Sequence, residues 1–559
     1  MKLKYMIYMS TALLTTGCND AFLERAPQSL NDQTFWSTAN DLKTYANGFY
    51  GLIPAGVSNL DDTNSDTQVP NSINTFLWGQ YTVPTEGGAW SQSNWSTIRK
   101  LNYFMTHYQN AQGTEAEINT YVGEIRFFRA LQYFDKIKTL GDVPWLDKDL
   151  NVDSKELYGP KTARNEVAKK IIEDLDFAIR WLPEAGSEEA NRLNKDIARH
   201  VKARVCLHEG TYYKYHTELK YTNEADGLLQ QAVEASNDLI ISGKYEIYNT
   251  GHPESDYHNL FTMDDKSNLK EAILYIDYIE DKRMHNMSHG TLEANAGFSK
   301  DFVDCILYDD GLPKGLTTQP TTDNTIAEEM AGRDPRFSQL IKNDAYLTDE
   351  EKEKANYDDN YVDKFHLTGY HTIKGYIPDL PSGYYVEFTD GIAYRYAETL
   401  LINAEAKAEL KTLTQDDLDN TINKLRDRAG MPHLKKEVGF TDPNWPDYGY
   451  TLSAILQEIR RERRVELAGE GFRFDDLCRW KAGHLLDNVM TYVGKKLSNG
   501  KYAIVYPNYT NDDLSYQEGK SRKWDDKMYL YPIATGELQR NPQSVSYTHL
   551  RAHETEADL

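Results

Sequence analysis

Apolar side chains recur every three or four residues along the chain between positions 95 and 243. The clearest stripe ends at Leu140, where Gly141 and Pro144 stop a predicted helix. Its members are Val122, Ile125, Phe128, Leu131, Phe134 and Ile137. Stripes of the same spacing follow at 167–179, 197–207 and 228–240. Because short polar segments connect these stripes, the pattern predicts antiparallel helical hairpins like those of tetratricopeptide repeats.

A long irregular stretch separates these hairpins from a second helical block. Residues 245–388 carry many Gly, Pro, Asn and Asp turn signals, with one predicted strand at 272–278. Helices are then predicted at 392–410, 418–429 and 452–467. Near the start, Asn40 is the predicted N-cap of a short helix, and residues 54–88 form a long polar loop of the kind that is usually functional. The predicted fold class is mostly α, with helical hairpins as a scaffold and an irregular, loop-rich part containing short strands.

The first 18 residues resemble a lipoprotein leader. Lys2 and Lys4 precede about ten apolar residues, whereas a bilayer span needs about 20. The stretch ends in Leu-Thr-Thr-Gly-Cys18, which is similar to a lipobox except that Thr15 stands where Leu or Val is usual. We expect residues 1–17 to be a signal peptide and Cys18 to be acylated. Ordinary secretion with an unmodified Cys18 is the alternative.

Composition and charge narrow the classes of function. The 559 residues carry a net charge of −24, which excludes the basic surface that nucleic acid or anionic lipid requires. Tyr and Trp are abundant, at 39 and 9 against 18 Phe, and their amphipathic rings suit the binding of amphipathic ligands. Cys206, Cys305 and Cys478 are widely spaced, so we expect neither a disulfide framework nor a Cys-rich zinc site.

The densest motif occupies residues 458–480, where acids alternate with arginines. Glu458, Glu462 and Glu466 lie four apart on one predicted helix face, with four arginines between them, which predicts ion pairs along the helix. A carboxylate pair for acid–base catalysis is the alternative. Neighbouring guanidinium groups lower a carboxyl pKa, whereas a general acid needs a raised pKa. We therefore interpret the motif as a structural charge network.

This segment resembles the C-terminal signature of the SusD/RagB family, which reads approximately ERRxELAxEGxRFxDLxRW. Five further stretches match the family in the same order. They are residues 124–134 with the GDVP turn at 141–144, RDPR at 333–336, the helices at 394–406 and 423–430, and YPI at 531–533 with Glu537 and Asn541-Pro542. The resemblance covers about residues 20–542. Six matches in register make it specific, although each alone is weak.

The resemblance implies four tetratricopeptide-type hairpins and an irregular face that presents a ligand. It also implies a cell-surface lipoprotein, anchored in the outer membrane through Cys18, that captures an oligosaccharide and delivers it to a SusC-like TonB-dependent transporter. RagB-like peptide capture is the alternative, and no cofactor is implied. We divide the mature chain into a helical part (18–244), a ligand-face insertion (245–391), a second helical part (392–543) and a tail (544–559). The tail departs from the family pattern and is expected to be disordered or non-native.

A sugar-binding site needs aromatic faces flanked by amide or charged groups. Covering a sugar face of about 50 Å² contributes ~1 kcal/mol, so micromolar binding takes two or three aromatic rings plus hydrogen bonds. The early loop offers Trp78, Tyr81, Trp90 and Asn94 as predicted ligand contacts. Trp90 follows two glycines, which suits a mobile loop tip. The alternative for these rings is to cover the adjacent helix, which is what we expect of Trp95.

The insertion offers a second candidate site at residues 284–316, with Asn295 and Phe298 as predicted contacts. His285 and His289 are spaced like a metal pair, but no third ligand is apparent, so we predict no metal site. Asp309 and Asp310 precede a glycine and are interpreted as a turn, with an acid pair or a calcium loop as the alternative.

A third patch in the insertion consists of tyrosines. Tyr370, Tyr376, Tyr384 and Tyr385 are predicted to line either a groove or a small core of the insertion. Local sequence leaves these two alternatives open.

Two other classes of function compete with ligand capture. The chain lacks a nucleophile elbow, a zinc-protease motif, a P-loop and a dinucleotide fingerprint, so we predict no enzyme. A surface glycoside hydrolase is still an alternative, because two catalytic acids need no sequence motif. The third class is a repeat scaffold that binds only proteins.

Overall fold

The computed structural model describes residues 35–58, 60–70, 74–292, 296–343, 368–378, 384–496, 500, 502–503, 522–541 and 543–544. The first helices are α1 (Ala39–Asn47), α2 (Gln92–His107), α3 (Glu115–Leu140), α4 (Arg164–Trp181), α5 (Lys195–Tyr215) and α6 (Thr222–Ser242). The insertion contains α7 (Asp256–Thr262), α8 (Met287–Leu292), α9 (Lys300–Cys305), α10 (Ile326–Met330) and α11 (Arg336–Leu340). The remainder contains α12 (Tyr396–Glu409), α13 (Gln415–Asn420), α14 (Ile422–Ala429), α15 (Ala454–Glu466), α16 (Arg473–Arg479) and α17 (Thr535–Arg540). The strands are β1 (Gln68–Pro70), β2 (Ala272–Ile276), β3 (Ala296–Phe298) and β4 (Gly391–Arg395).

Helices α3 to α6 form the predicted hairpins, with α3 packed along α4 and α5 along α6. Local sequence sets the ends of α3. The Thr114 hydroxyl accepts the N–H of Glu117, and the Glu117 carboxylate accepts the N–H of Thr114. Such a cap contributes ~1 kcal/mol. The helix ends at Gly141, whose φ of 73° is favoured by glycine. The predicted mostly α fold is confirmed, and none of the described helices is both long and apolar enough to span a bilayer.

One hydrophobic core joins the two helical blocks. Phe128 of α3, Leu175 of α4, Leu400 of α12 and Ile459 of α15 are fully buried within the same cluster. Helix α12 packs against both α6 and α15, which connects the blocks directly. The helical parts that flank the insertion are therefore halves of one scaffold, although the insertion separates them in sequence.

Three predicted helix boundaries are wrong. Thr38, not Asn40, caps α1, because its hydroxyl accepts the N–H three residues later. The predicted helix at 392–410 begins only with α12, since the preceding residues pair with β2 as strand β4. The predicted helix at 418–429 is broken at Thr421, whose φ and ψ are −127° and −92°. In the first two cases a local or cross-strand hydrogen bond decides between conformations that the apolar spacing allows.

Two short antiparallel ladders tie the insertion to the rest of the chain. Strand β2, predicted at 272–278, pairs with β4. Strand β1 of the early loop pairs with β3, with Pro70 opposite Ala296. The chain that leaves β1 toward Trp78 and the chain that enters β3 from α8 therefore meet at the same end of this ladder.

The charged motif is buried, and it joins elements far apart in sequence. The Glu466 carboxylate pairs with Arg336, Arg395 and Arg428 at 3.0, 2.6 and 2.5 Å. Burial alone raises the pKa of Glu466, but the three guanidinium groups outweigh it and hold that pKa far below 4.5. The predicted network is present, whereas the prediction of pairs along the helix is wrong for Glu466. Its partners come from α11, β4 and α14, because only folding places those arginines beside it.

Candidate ligand-binding surface

The early loop is fixed to the scaffold through both its backbone and its acidic side chains. Nη2 of Arg464 donates to the carbonyl oxygen of Asp66 at 2.9 Å, and the Ser299 hydroxyl donates to the same oxygen at 2.5 Å. The N–H of Ser299 donates to the carbonyl oxygen of Thr67 at 2.9 Å. Arg473 adds two bonds to the Asp66 carboxylate at 2.7 and 2.8 Å. These hydrogen bonds attach the start of the loop to α15, α16 and the residue before α9.

Trp78 and Tyr81 are both half-buried at the edges of aromatic clusters. The Trp78 ring lies edge-on to Tyr492, with 5.3 Å between centroids. The Tyr81 ring contacts Phe76 and Tyr531 edge-on at 5.6 and 6.0 Å, while Phe76 stacks on Tyr531 at 4.4 Å. Each ring therefore has a packed side that fixes its orientation and an accessible side.

Trp90 ends a tight turn that two glycines make possible. Gly87 and Gly88 have φ values of 83° and 66°, a region in which other residues are strained. The side-chain amide of Asn94 donates to the carbonyl oxygens of Gly88 and the following residue at 3.1 and 3.3 Å. Trp90 is half-buried and lies edge-on to Trp95 at 5.3 Å, and both rings pack against the main core. Asn94 therefore shapes the turn that presents Trp90.

Phe298 lies in the core of the insertion. It has no exposed surface, and its ring stacks on Phe302 at 4.8 Å. Its pairing through β3 with β1 turns the side chain inward, so the predicted contact with a ligand is not possible in this structure. The other predicted site residue of the insertion, Asn295, lies outside the described residues, as does the predicted lipidation site Cys18 with its signal peptide. Positions 545–559 of the predicted tail lie outside them as well.

The tyrosine patch divides between core and surface. Tyr370 is fully buried, and its hydroxyl donates to Glu329 at 2.7 Å. Tyr384 and Tyr385 are each 64% exposed, and the Tyr384 ring lies edge-on to His289 at 4.1 Å. Tyr385 has a φ of 56°, a left-handed conformation that costs a side-chain-bearing residue about 1–2 kcal/mol. Strained, exposed residues are typical of functional sites, so we add this pair to the candidate surface. No local sequence signal distinguishes it from the buried Tyr370.

His285 and Asp310 are both hydrogen-bonded within the protein. Nε2–H of His285 donates to the carbonyl oxygen of Thr389 at 2.9 Å, so this imidazole is engaged by the protein itself. The Asp310 carboxylate accepts the N–H two residues on and the Thr317 hydroxyl at 2.9 and 2.7 Å, while Gly311 has a φ of 78°. This geometry is that of a turn. Among the described residues, no three His, Cys, Asp or Glu side chains converge as metal ligands.

A cleft of about 560 Å³ lies where α3 and α5 meet β4, and its acids include Asp61 and Glu470. Burial raises the pKa of Asp61, whose carboxylate accepts the Ser58 hydroxyl at 2.8 Å. Burial also acts to raise the pKa of Glu470, but the charges of Arg395 and Lys374 outweigh it and lower that pKa. A raised and a lowered carboxyl are typical of a glycosidase pair. However, Arg395 bonds both Glu470 oxygens at 2.7 and 2.8 Å, and Lys374 adds a third bond at 2.5 Å. Both oxygens of Glu470 are therefore held by hydrogen bonds from scaffold cations.

Known proteins share this fold at sequence identities of 21–25%. A SusD-like protein P2 from Formosa agariphila is 25% identical over 514 residues, covering 86% of this chain and 91% of that protein. A SusD-like protein from Bacteroides fragilis superposes with a TM-score of 0.70 at 24% identity, over 92% of this chain and 98% of its own. A SusD-like carbohydrate binding protein from the same species superposes with a TM-score of 0.67 at 21% identity, over 92% and 100%.

The family match covers the charged motif at residues 458–480. The model of the SusD family matches residues 177–548, which is well over half of the chain. This range includes the buried network around Glu466 and the strand β3 that holds the early loop. The resemblance seen in the sequence motifs is thereby confirmed, and the chain belongs to the SusD family.

Proposed function

We propose that this chain is a surface-exposed lipoprotein that captures oligosaccharides and delivers them to a SusC-like TonB-dependent transporter of the outer membrane. One observation carries the glycan-binding part. Aromatic rings lie at the surface on the early loop that leaves β1 and beside α8, the helix that precedes β3. These rings are Trp78 and Trp90 on the early loop, and Tyr384 and Tyr385 on the insertion, where the Tyr384 ring contacts His289 of α8.

The chemistry of these rings favours a sugar over other ligands. Flat rings with a polar edge cover the C–H face of a pyranose, while nearby polar groups bond its hydroxyls. At ~25 cal/mol per Å², two such faces of about 50 Å² supply ~2.5 kcal/mol, and hydrogen bonds must supply the rest of a micromolar affinity. The carbohydrate binding named for one B. fragilis structure supports the same ligand class. Peptide capture is the alternative ligand class.

Calorimetric titration with neutral oligosaccharides tests the proposal. Wild-type protein is compared with Trp78→Ala, Trp90→Ala and the double variant, using laminarin, xylan, mannan and galactan oligosaccharides as ligands. We expect each single change to weaken binding about tenfold, because each removes roughly 1–1.5 kcal/mol of ring contact. Trp181→Ala is the matched control, since Trp181 lies at the end of α4 on the scaffold.

Three results would contradict the glycan-binding proposal. Unchanged affinity in the double variant excludes these rings as the site. If the protein binds a peptide pool but no glycan, its ligands are peptides. New reducing ends after incubation with a glycan make the protein a hydrolase.

The membrane part of the proposal needs its own measurement. The net charge of −24 offers no basic surface for lipid, so a lipid chain on Cys18 has to supply attachment. We expect Cys18→Ala to release the protein from outer-membrane fractions without changing glycan affinity. If a SusC-like barrel separates from the wild-type protein during detergent purification, the two proteins do not form a stable pair.

A further inference from the structure

A second cleft lies on the side of the scaffold that carries Trp445. Its volume is about 550 Å³, within the 300–1,000 Å³ of typical ligand pockets. One wall is a face of α15 from Gln457 to Arg464, and another is the loop of residues 442–448. We propose that this cleft is a second binding site for a neutral saccharide, separate from the early aromatic loop. The inference builds on the proposed glycan-binding role and extends it to a new site.

Trp445 is presented to the cleft in a fixed orientation. Its indole N–H donates to Oε1 of Glu458 at 2.7 Å, and Phe440 stacks on it with 5.9 Å between ring centroids. The Asp442 side chain accepts the N–H of Asn444 at 2.8 Å, and the Asp442 carbonyl accepts the N–H of Trp445 at 3.2 Å. The ring is half-exposed and lines the cleft, so it offers a preorganised apolar face.

Three polar atoms at the adjoining wall have no hydrogen-bond partner among the described residues. They are Oε1 of Gln457, Nε of Arg460 and Nη1 of Arg461, all within about one turn of α15. The Arg461 side chain is only 8% exposed, so bulk water does not compensate it. Leaving such groups unpaired costs about 1–3 kcal/mol each, which marks them as groups that a ligand stabilises. The two arginine atoms are donors and the glutamine oxygen is an acceptor. A sugar hydroxyl, which both donates and accepts, satisfies this combination.

The charges of the cleft select a neutral ligand. Its arginines are matched by acids: Arg461 bonds Asp442 at 2.5 Å, and Arg464 bonds Asp301 at 2.8 Å. Asp304, which pairs with Lys300, and Asp447, which is exposed, also line the cleft. Every described lysine and arginine that lines the cleft is paired with an acid, so an anionic sugar meets no free cation and faces the exposed Asp447. A neutral pyranose meets an aromatic face and partners for its hydroxyls.

Fluorine NMR on protein labelled with 5-fluorotryptophan separates the two sites. The resonances missing from Trp445→Phe and from Trp78→Phe assign the two probes. Cellobiose, laminaribiose, xylobiose and mannobiose are titrated, with digalacturonic acid as the anionic comparison. We expect at least one neutral disaccharide to shift the Trp445 resonance, and digalacturonic acid to leave it unchanged. Gln457→Ala should weaken that response about tenfold, whereas Gln230→Ala on the exposed face of α6 should not change it.

The outcomes distinguish this inference from the proposed function. If disaccharides shift the Trp78 resonance but never that of Trp445, the cleft holds only water and the inference is overturned while the proposed function stands. If only digalacturonic acid shifts the Trp445 resonance, the ligand class is overturned. If no saccharide moves either resonance, both proposals fail.

Discussion

Arg164 and Glu209 form two parallel hydrogen bonds of 2.7 Å deep inside the helical scaffold. The arginine opens α4 and the glutamate lies within α5. The same guanidinium donates to the carbonyl oxygen of Ile137 at the end of α3, at 2.8 Å, and lies 3.6 Å from the ring centroid of Tyr212. One side chain thus joins three successive helices of the repeat stack.

Replacing Glu209 with Gln should lower the free energy of unfolding by about 3–5 kcal/mol. The change leaves the Arg164 charge buried without its carboxylate, and the loss of one partner of a buried pair has this magnitude. Urea denaturation followed by circular dichroism measures it. Glu173→Gln is the control, because Glu173 pairs with Lys170 on an exposed helix face and should change stability by less than about 0.5 kcal/mol. Equal urea midpoints for the two variants would contradict this prediction.

The same pair predicts the acid sensitivity of the protein. Burial alone raises the pKa of Glu209, but the charge and hydrogen bonds of Arg164 outweigh burial and lower that pKa from 4.5 to about 2. The stabilisation is therefore complete above pH 4.5 and is lost as pH falls through about 2. The difference in unfolding free energy between wild type and Glu209→Gln should be constant from pH 7 to 5 and shrink below pH 4.5. A difference that grows on acidification would refute the assignment.

Gly391 should tolerate no side chain, whereas Gly227 should. A Cβ on Gly391 would lie 2.2 Å from the carbonyl oxygen of Ala55, where the early loop crosses β4. Gly391→Ala should therefore cost about 3 kcal/mol. Gly227 lies within α6, and a Cβ added there would have no atom within 4 Å, so Gly227→Ala should raise stability by about 0.5–1 kcal/mol. Thermal denaturation of both variants checks the opposite signs.

Tyr385→Gly should raise the stability of the protein and weaken its glycan binding. Glycine adopts the φ of 56° without strain, so the melting temperature should rise, while loss of the exposed ring should weaken glycan binding about tenfold. Lys411→Gly is the matched control, because Lys411 has a φ of 62° at the end of a scaffold helix. It should raise stability similarly and leave affinity unchanged. A Tyr385→Gly protein that binds glycan like wild type would remove this ring from the candidate surface.

Periodic patterns predicted the long helices because their stripes are continuous. The six apolar residues from Val122 to Ile137 can be buried on one side of α3 in only one conformation. The residues of β4 lie in an apolar run that continues into α12, so spacing alone does not locate the change from strand to helix. The pairing of β4 with β2, more than 100 residues earlier, decides it.

The site was harder to predict than the fold, because burial depends on tertiary neighbours. Trp78 and Trp90 stand out beside glycines and polar residues, and both are half-exposed. Phe298 has similar sequence surroundings, yet its pairing with β1 buries it completely. Trp445 carries no sequence signal at all. The unpaired atoms that mark its cleft exist only after α15 and the loop before it have come together.

The hydrogen bonds from Arg464 and Ser299 to peptide carbonyls of the early loop have an evolutionary consequence. Every amino acid supplies the same carbonyl group, so these three hydrogen bonds survive changes of side chain beyond Thr67. Mutations along the loop can therefore change the ligand that is bound without weakening these hydrogen bonds. Exchanging residues 71–94 between relatives should therefore transfer the ligand preference and leave the scaffold unchanged.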